Sequence, residues 1–147
     1  MVVIIIAILA AIAIPRYLEL QRNARISKTR SLYGTVKSAA MLAKARCEVD
    51  VAQGLSPGCA SATPTVDMDG LAVTIVNSYP TADAAGIDAA TQITTREGVT
   101  LGGGGSGAGA TRIYDIAGGN GTNCRVTYIA PNAGGRAPTI DIDVSGC

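Results

Sequence analysis

The sequence predicts an α+β fold, in which one long N-terminal α-helix packs on a roughly four-stranded antiparallel sheet. Two observations carry this prediction. Residues 16–49 contain a single turn signal, Gly34, and apolar residues recur in them at helical spacing. Beyond residue 65, short segments dense in β-branched residues are separated by connections rich in Gly and Pro. Since 147 residues suffice for one domain with a sizeable core, we expect a single fold.

The first fourteen residues, MVVIIIAILAAIAI, carry no charge and must be buried somewhere. Exposing such a run to water would cost on the order of ten kcal/mol or more, because each large aliphatic side chain gains roughly 1.5–3 kcal/mol on burial. Three uses are open: a cleaved signal peptide, a membrane span, or a helix that packs against copies of itself. A span needs about 20 apolar residues, more than this run has. A signal peptide would fit the AIA at residues 11–13 but lacks a positively charged leader.

An amphipathic pattern after Pro15 continues the apolar run as one helix to about residue 49. Because proline removes one backbone hydrogen bond, we expect a kink or a loosened helix near residues 11–15. The whole helix would be roughly 70 Å long, about twice the diameter of a domain of this size. Residues 1–24 are therefore expected to protrude, and residues 25–147 to form a globular head.

The elements of the head follow from residue type and alternation. After a loop at residues 50–65, the pattern predicts a short helix at 81–93 and strands at 70–79, 97–101, 111–116, 124–130 and 139–144. In the last strand, Ile140 and Ile142 alternate with Asp141 and Asp143, as on a sheet with one face in water. Because the chain has no Phe and no Trp, we expect a core of small and branched aliphatic residues.

Four cysteines, with no CxxC spacing and no His in the chain, indicate disulfides and hence an exported protein. Three pairings of Cys47, Cys59, Cys124 and Cys147 are open, with metal ligation or free thiols as a further alternative. We favour the sequence-local pairs Cys47–Cys59 and Cys124–Cys147, because antiparallel pairing of the last two strands would bring residues 124 and 147 together. Such a disulfide contributes roughly 3 kcal/mol of stability in the chain-entropy model.

Charge is segregated along the chain. Residues 1–46 hold eight Lys and Arg against one acid, Glu19, for a net +7, and residues 47–147 hold four basic and ten acidic residues, for a net −6. The basic segment has three interpretations: it meets the acidic body of another copy, lies on anionic lipid, or is a solvated helix face. An overall charge of +1 and the absence of His argue against a dedicated nucleic-acid binder and against common acid–base chemistry. We predict no enzyme, no metal site and no cofactor.

Three further motifs each have a chemical and a structural interpretation. LGGGGSGAGA at 101–110 formally contains GxGxxG, but a strand and not a helix is predicted after it, which favours a mobile surface loop. NGT at 120–122 is a glycosylation sequon that a turn between strands explains equally well. Four aspartates offer oxygen ligands to calcium, but alternating residues share one solvent face, so we expect ordinary exposed acids at Asp67, Asp69, Asp141 and Asp143.

The segment AILAAIAIP, followed by an amphipathic helix and by a terminal cysteine that closes a C-terminal loop, resembles the type IV pilins of Gram-negative bacteria. VDMDGLAVTIVNSYPTADAAGI is further similar to a GYP-A-GI region in pilins of the mannose-sensitive haemagglutinin type. The resemblance implies a prepilin in the inner membrane, which its peptidase cleaves and N-methylates. An ATP-driven assembly machine then adds it to an extracellular filament of identical subunits, for adhesion, motility or DNA uptake. The resemblance assigns no surface or host ligand.

The resemblance also implies roles for residues in the helix. It places the helix break at Pro15 and a filament core at Val2, Val3, Ile4, Ile5, Ile6, Ile8, Leu9, Ile12 and Ile14. The family's leader, cleavage-site glycine, methylated first residue and nearby glutamate do not precede Met1, and Glu19 does not replace that glutamate. We therefore expect about six or seven residues to be missing from the apolar run. Two alternatives stay open: a pseudopilin of a type II secretion system, and a secreted binding domain with a cleaved signal peptide.

Overall fold

The computed structural model describes residues 2–54, 59, 64–95, 98–118 and 123–147. Its fold is α+β, with one long N-terminal helix and two antiparallel sheets. Helix α1 spans Val2–Ala52, and a short helical segment, the π-helical turn Ala84–Asp88 continued by α2 at Ala89–Thr91, lies between the sheets in sequence. The strands are β1 Thr65–Met68, β2 Leu71–Val76, β3 Tyr79–Pro80, β4 Val99–Gly103, β5 Thr111–Ile116, β6 Arg125–Ile129 and β7 Thr139–Asp143.

Helix α1 has two halves with different surroundings. At 51 residues it is about 77 Å long. Residues 2–20 are exposed, apart from the half-buried Ala10, whereas one face of the second half is buried from Thr29 onward. The helix is continuous through Pro15, although proline has no N–H to donate to the carbonyl of Ala11. The kink or loosening expected near residues 11–15 does not interrupt the helix, and it stays a prediction.

The single sheet expected from the sequence is in fact two, with strand orders β1-β2-β3 and β4-β5-β6-β7, linked by one bridge between Ala82 and Gly105. The segment 70–79, predicted as one strand, is broken at Asn77 and Ser78, which take positive φ values of 51° and 70°. A two-residue turn with positive φ at both positions reverses the chain and pairs β2 with β3. Strand β1 was not predicted; it pairs with β2 across a second such turn, Asp69-Gly70.

The other predicted elements of the head are present. Strands β4 to β7 and the short helical segment lie within a few residues of their predicted positions. The glycine-rich stretch 101–110 differs from the expected mobile loop: its first three residues belong to β4, and Gly105 pairs with Ala82. As predicted, a strand follows it, not a helix, which removes the context that a dinucleotide motif needs. The sequon at 120–122 lies outside the described residues.

The composition had suggested a core of aliphatic residues alone, but the core also contains tyrosine side chains. The largest fully buried side chains are Tyr114 and Tyr128, which lie under α1 with Val36, Val126 and neighbouring strand residues. A smaller cluster surrounds Cys47 and the inner face of β1 and β2. The hydroxyl groups of Tyr114 and Tyr128 each have a partner, because an unpaired one would carry a desolvation cost: Tyr114 donates to Asp88 and Tyr128 donates to the carbonyl of Pro80, each at 2.7 Å.

Candidate functional site: an exposed apolar helix half

The most unusual surface of the molecule is the first half of α1. Its large aliphatic side chains are between 58% and 79% exposed, and they are the residues that the resemblance places in a filament core: Val2, Val3, Ile4, Ile5, Ile6, Ile8, Leu9, Ile12 and Ile14. Soluble monomers rarely expose an apolar patch of such extent. Covering these side chains would gain on the order of ten kcal/mol or more. The surface is therefore a strong candidate for contact with lipid or with other copies of the chain.

The shape of this half restricts what can cover it. Apolar residues occupy consecutive positions from Val2 to Leu9, so the helix is apolar on every side, as in helices enclosed all round. Residues 2–15, which precede the first charged side chain, span about 21 Å, less than the roughly 30 Å hydrocarbon core of a bilayer. By length and composition the helix could cross a membrane. The first charged side chains, Arg16 and Glu19, mark the end of the apolar segment.

Where α1 enters the head, it is fastened to the C-terminal disulfide. The side chain of Arg25 donates through Nε to the carbonyl oxygen of Cys147 at 2.7 Å. One turn later, the buried Thr29 hydroxyl lies 3.5 Å from Sγ of Cys124 and 3.6 Å from Sγ of Cys147. This clamp was not predicted from the sequence, in which its only signal is Thr29, a polar residue within the buried stripe of the helix. The clamp couples the protruding helix to the last strands of the head.

The second disulfide holds the other end of the helix. Cys47, buried in the last turns of α1, pairs with Cys59, with their Cα atoms 5.8 Å apart. Cys124 pairs with Cys147 across a Cα separation of 4.7 Å. These are the two sequence-local pairs that the sequence favours. Cys47–Cys59 links the last turns of α1 to the segment after the helix. Cys124–Cys147 joins the residue before β6 to Cys147, which the clamp holds against Arg25 and Thr29 of α1. The part of the helix that lies in the head is therefore held at both ends.

A buried carboxylate in the head forms a second polar cluster. Asp88 accepts a hydrogen bond from the Tyr114 hydroxyl at 2.7 Å and pairs with the guanidinium of Arg112. Arg112 also donates to the carbonyl of Gly103 at 2.9 Å. The hydrogen bond to Asp88 raises the pKa of Arg112, and burial, together with the hydrogen bond to Asp88, raises the pKa of Tyr114. The donors and acceptors of the cluster are used within the head, where they hold the helical segment against β5.

The four aspartates considered as calcium ligands are not gathered into one site. Asp67 accepts from the amide of Gly70 at 3.1 Å, and Asp143 accepts from the amide and hydroxyl of Ser145, which lowers the pKa of Asp143. Asp67, Asp69 and Asp141 are exposed, whereas Asp143 is half-buried. Within the described part of the chain, no three His, Cys, Asp or Glu side chains converge on a common point.

Comparisons of the chain with protein-family models, with curated proteins and with solved structures gave no match. The features of this chain that bear on its function are therefore the exposed apolar half of α1 and the two disulfides that tie the other half into the head.

Proposed function

We propose that the chain is the structural subunit of a helical filament, which assembles by burying the first half of α1 against neighbouring copies. The observation that supports this is the all-round apolar helix segment before Pro15, whose large aliphatic side chains are exposed and which is continuous with a helix that is fixed in a disulfide-bonded head. Within that class, we propose that it is a subunit of a type IV pilus. The N-terminal motif AILAAIAIP and the order of elements support this narrower proposal.

Assembly of this kind needs little change in the surroundings of the helix. Before assembly, lipid of the inner membrane covers the aliphatic side chains, and in the fibre the side chains of other helices replace it. Outside the membrane, the hydrophobic effect keeps the helices together. The peptidase and the ATP-driven assembly machine are partners under this proposal, and the finished fibre lies outside a Gram-negative cell.

The course of α1 favours the proposal over a cleaved signal peptide. The helix passes without interruption from the apolar run into the head, and no turn separates the two near Ile14. Cleavage near Ile14 would cut within α1 and leave a mature chain that starts in the middle of this helix. A pseudopilin would share this architecture, and its shorter fibre is what would separate it from a pilus subunit.

The proposal is tested by placing a charge in the apolar half. Ile8→Asp should abolish fibres, because an unpaired carboxylate would be buried among aliphatic side chains at a cost of several kcal/mol. Ile8→Val is the matched control and should retain them, since it removes one methylene group. Fibres are sheared from cells that express the full chain, imaged by electron microscopy and analysed by mass spectrometry.

Three results would contradict the proposal or narrow it. Fibres that persist with Ile8→Asp would exclude the apolar half as the filament core. A mature subunit that starts near Ile14 would favour the secreted binding domain. Short fibres confined to the cell envelope, with the same subunit, would favour the pseudopilin.

A further inference from the structure

A groove of about 240 Å³ lies on the head between the second half of α1 and the segment that leads into β7. Its lining is mainly aromatic and aliphatic, and it includes Tyr33, Met41, Tyr79, Pro138 and Ile140. Met41 is 57% exposed, which is high for an apolar side chain on the head. The groove therefore offers an apolar floor that water covers in the single chain.

Two lysines stand at the rim of this groove. The ammonium group of Lys37 lies 5.8 Å from the centre of the Tyr33 ring, and that of Lys44 lies 5.5 Å from the centre of the Tyr79 ring. Lys44 also pairs with Glu48 at 3.5 Å, whereas Lys37 forms no ion pair with any residue that the structure describes. The rim therefore carries a positive charge that no acidic residue in the described part of the chain neutralises.

The complementary surface is the tip of the β1–β2 hairpin, Asp67–Leu71. It carries two exposed carboxylates, those of Asp67 and Asp69, which form no ion pair among the residues described. Beside them, Leu71 is 43% exposed and Met68 is half-buried. The Asp69-Gly70 turn, with φ values of 55° and 79°, projects these side chains from the end of the hairpin. The tip thus combines acidic groups with an apolar side chain, as the groove combines lysine with an apolar floor.

We propose that the hairpin tip of one copy docks into the groove of the next copy along the fibre, an inference that rests on the proposed function. On its own chain the tip lies beside Leu42 and Arg46, whereas Met41, about 100° round the helix from Leu42, lines the groove. When each copy gives its tip to one neighbour and its groove to another, the contact is heterologous and propagates from copy to copy. The lysine rim sets the register of the incoming acidic tip, while Leu71 covers the apolar floor.

Charge reversal with rescue tests this contact in fibres of the full chain. Lys37→Glu and Asp69→Lys should each lower the amount of sheared fibre about tenfold, because they place like charges opposite each other. The double variant Lys37→Glu/Asp69→Lys should restore most of the yield, since it recreates the pair with its signs exchanged. Asp141→Lys, which changes an exposed acid outside the tip, is the matched control and should leave the yield unchanged.

Cysteine pairing provides an independent test of position. All four native cysteines are in disulfides, so a Met41→Cys/Leu71→Cys chain carries two new thiols, one in the groove and one in the tip. Oxidised fibres of this variant should give a ladder of dimers, trimers and longer species in denaturing gels. Val49→Cys/Leu71→Cys, with its helix thiol two turns beyond the groove, should give no ladder.

The outcomes separate this contact from the proposed function. Ile8→Asp could abolish fibres while the charge variants leave the yield unchanged and no ladder forms. That result would support the proposed filament and overturn the docking contact. A dimer without longer species would overturn the propagating contact, because it would show that two copies pair with each other and bind no third. If the wild-type chain forms no fibre, or if Ile8→Asp forms fibres normally, the proposed function fails and this contact fails with it.

Discussion

Asp88 is a buried carboxylate in the head: it is 7% exposed and is paired with Arg112 and Tyr114. Asp88→Ala leaves the Arg112 guanidinium buried without its carboxylate. We expect it to lower the free energy of unfolding by about 3–5 kcal/mol. Asp115→Ala is the matched control: it removes a partly exposed ion pair with Arg125 and should cost about 1 kcal/mol or less.

Both free energies are measurable by chemical denaturation of the full chain in detergent, with the near-ultraviolet circular dichroism of its tyrosines as the signal of unfolding. Equal losses for the two variants would contradict the structural role assigned to the Asp88 cluster. The loss expected for Asp88→Ala is a large part of the usual stability of a domain, so the variant is also expected to lower the amount of folded protein in cells.

The two buried tyrosines predict how stability depends on pH. Burial raises the pKa of Tyr114 and Tyr128 above the ordinary value of about 10, so the folded head holds these protons at a pH where the unfolded chain releases them. Their contribution is complete below about pH 10 and is lost as the pH rises through the raised pKa values of the folded state. Denaturation curves at increasing pH should therefore show falling stability above about pH 10.

The variant Tyr114→Phe/Tyr128→Phe tests the cause of this fall. It lacks both hydroxyls and should be less stable at neutral pH, because Asp88 and the carbonyl of Pro80 lose their donors. Its stability should nevertheless fall less steeply in alkali than that of the wild-type chain. Parallel pH profiles for the two proteins would show that other groups cause the alkaline loss.

Sequence reasoning at the residue scale found local features and missed distant ones. The cysteine pairs follow from short separations along the chain, and the exposure of Asp141 follows from alternation in β7, whereas Asp143 is half-buried. The pairing of Asp88 with Arg112 joins residues 24 positions apart, and that of Arg25 with Cys147 joins residues 122 apart. No local pattern encodes such contacts, since they depend on how the elements pack.

Among the elements, the helical segment Ala84–Asp88 packs so closely on the chain before it that Gly86 has no room for a side chain. A Cβ atom there would overlap the hydroxyl and the carbonyl of Thr81, which lies ahead of the segment. Gly86→Ala should therefore destabilise the head by about 1–3 kcal/mol. Denaturation of the purified chain measures this loss, and an unchanged midpoint would contradict the tight packing.

At Gly34, the same substitution to alanine is expected to stabilise the protein. It lies inside α1, where a Cβ would meet no atom within 4 Å. Because glycine is a poor helix former, Gly34→Ala should raise the free energy of unfolding by about 1 kcal/mol. A loss of stability at this position would mean that the exposed face of α1 has a neighbour that the single chain does not show.

How well an element could be predicted depended on whether its signal was local. Strands β5, β6 and β7 combine β-branched residues with clear turns, and their predicted bounds agree closely with the observed ones. Strand β1 was missed because TVDM is short and half polar, although the Asp-Gly dipeptide after it is a strong hairpin signal. The split into two sheets had no local signal, since it depends on which strand edges meet.

At the scale of the whole molecule, the acidic body and the basic helix segment have opposite charges of nearly equal size. The net charge is +7 over residues 1–46 and −6 over residues 47–147. Such segregation favours side-by-side contact of a basic helix with an acidic head in a neighbouring copy. The apolar half of α1 adds a contact that does not depend on charge. The stability of the proposed fibre at high salt concentration therefore shows whether charge or apolar burial holds it together.

We expect the apolar contact to dominate once the fibre exists. At about 1 M NaCl the Debye length is about 3 Å, so attraction between exposed charges is largely screened, whereas the burial of aliphatic side chains is not weakened. Fibres should therefore remain in the pellet after centrifugation at high salt. A detergent that solvates residues 2–20 should release the subunit to the supernatant, because its apolar tails replace the neighbouring helices. Fibres that dissolve in salt alone would show that the charge contacts, including the lysine rim and the acidic tip, supply most of the cohesion.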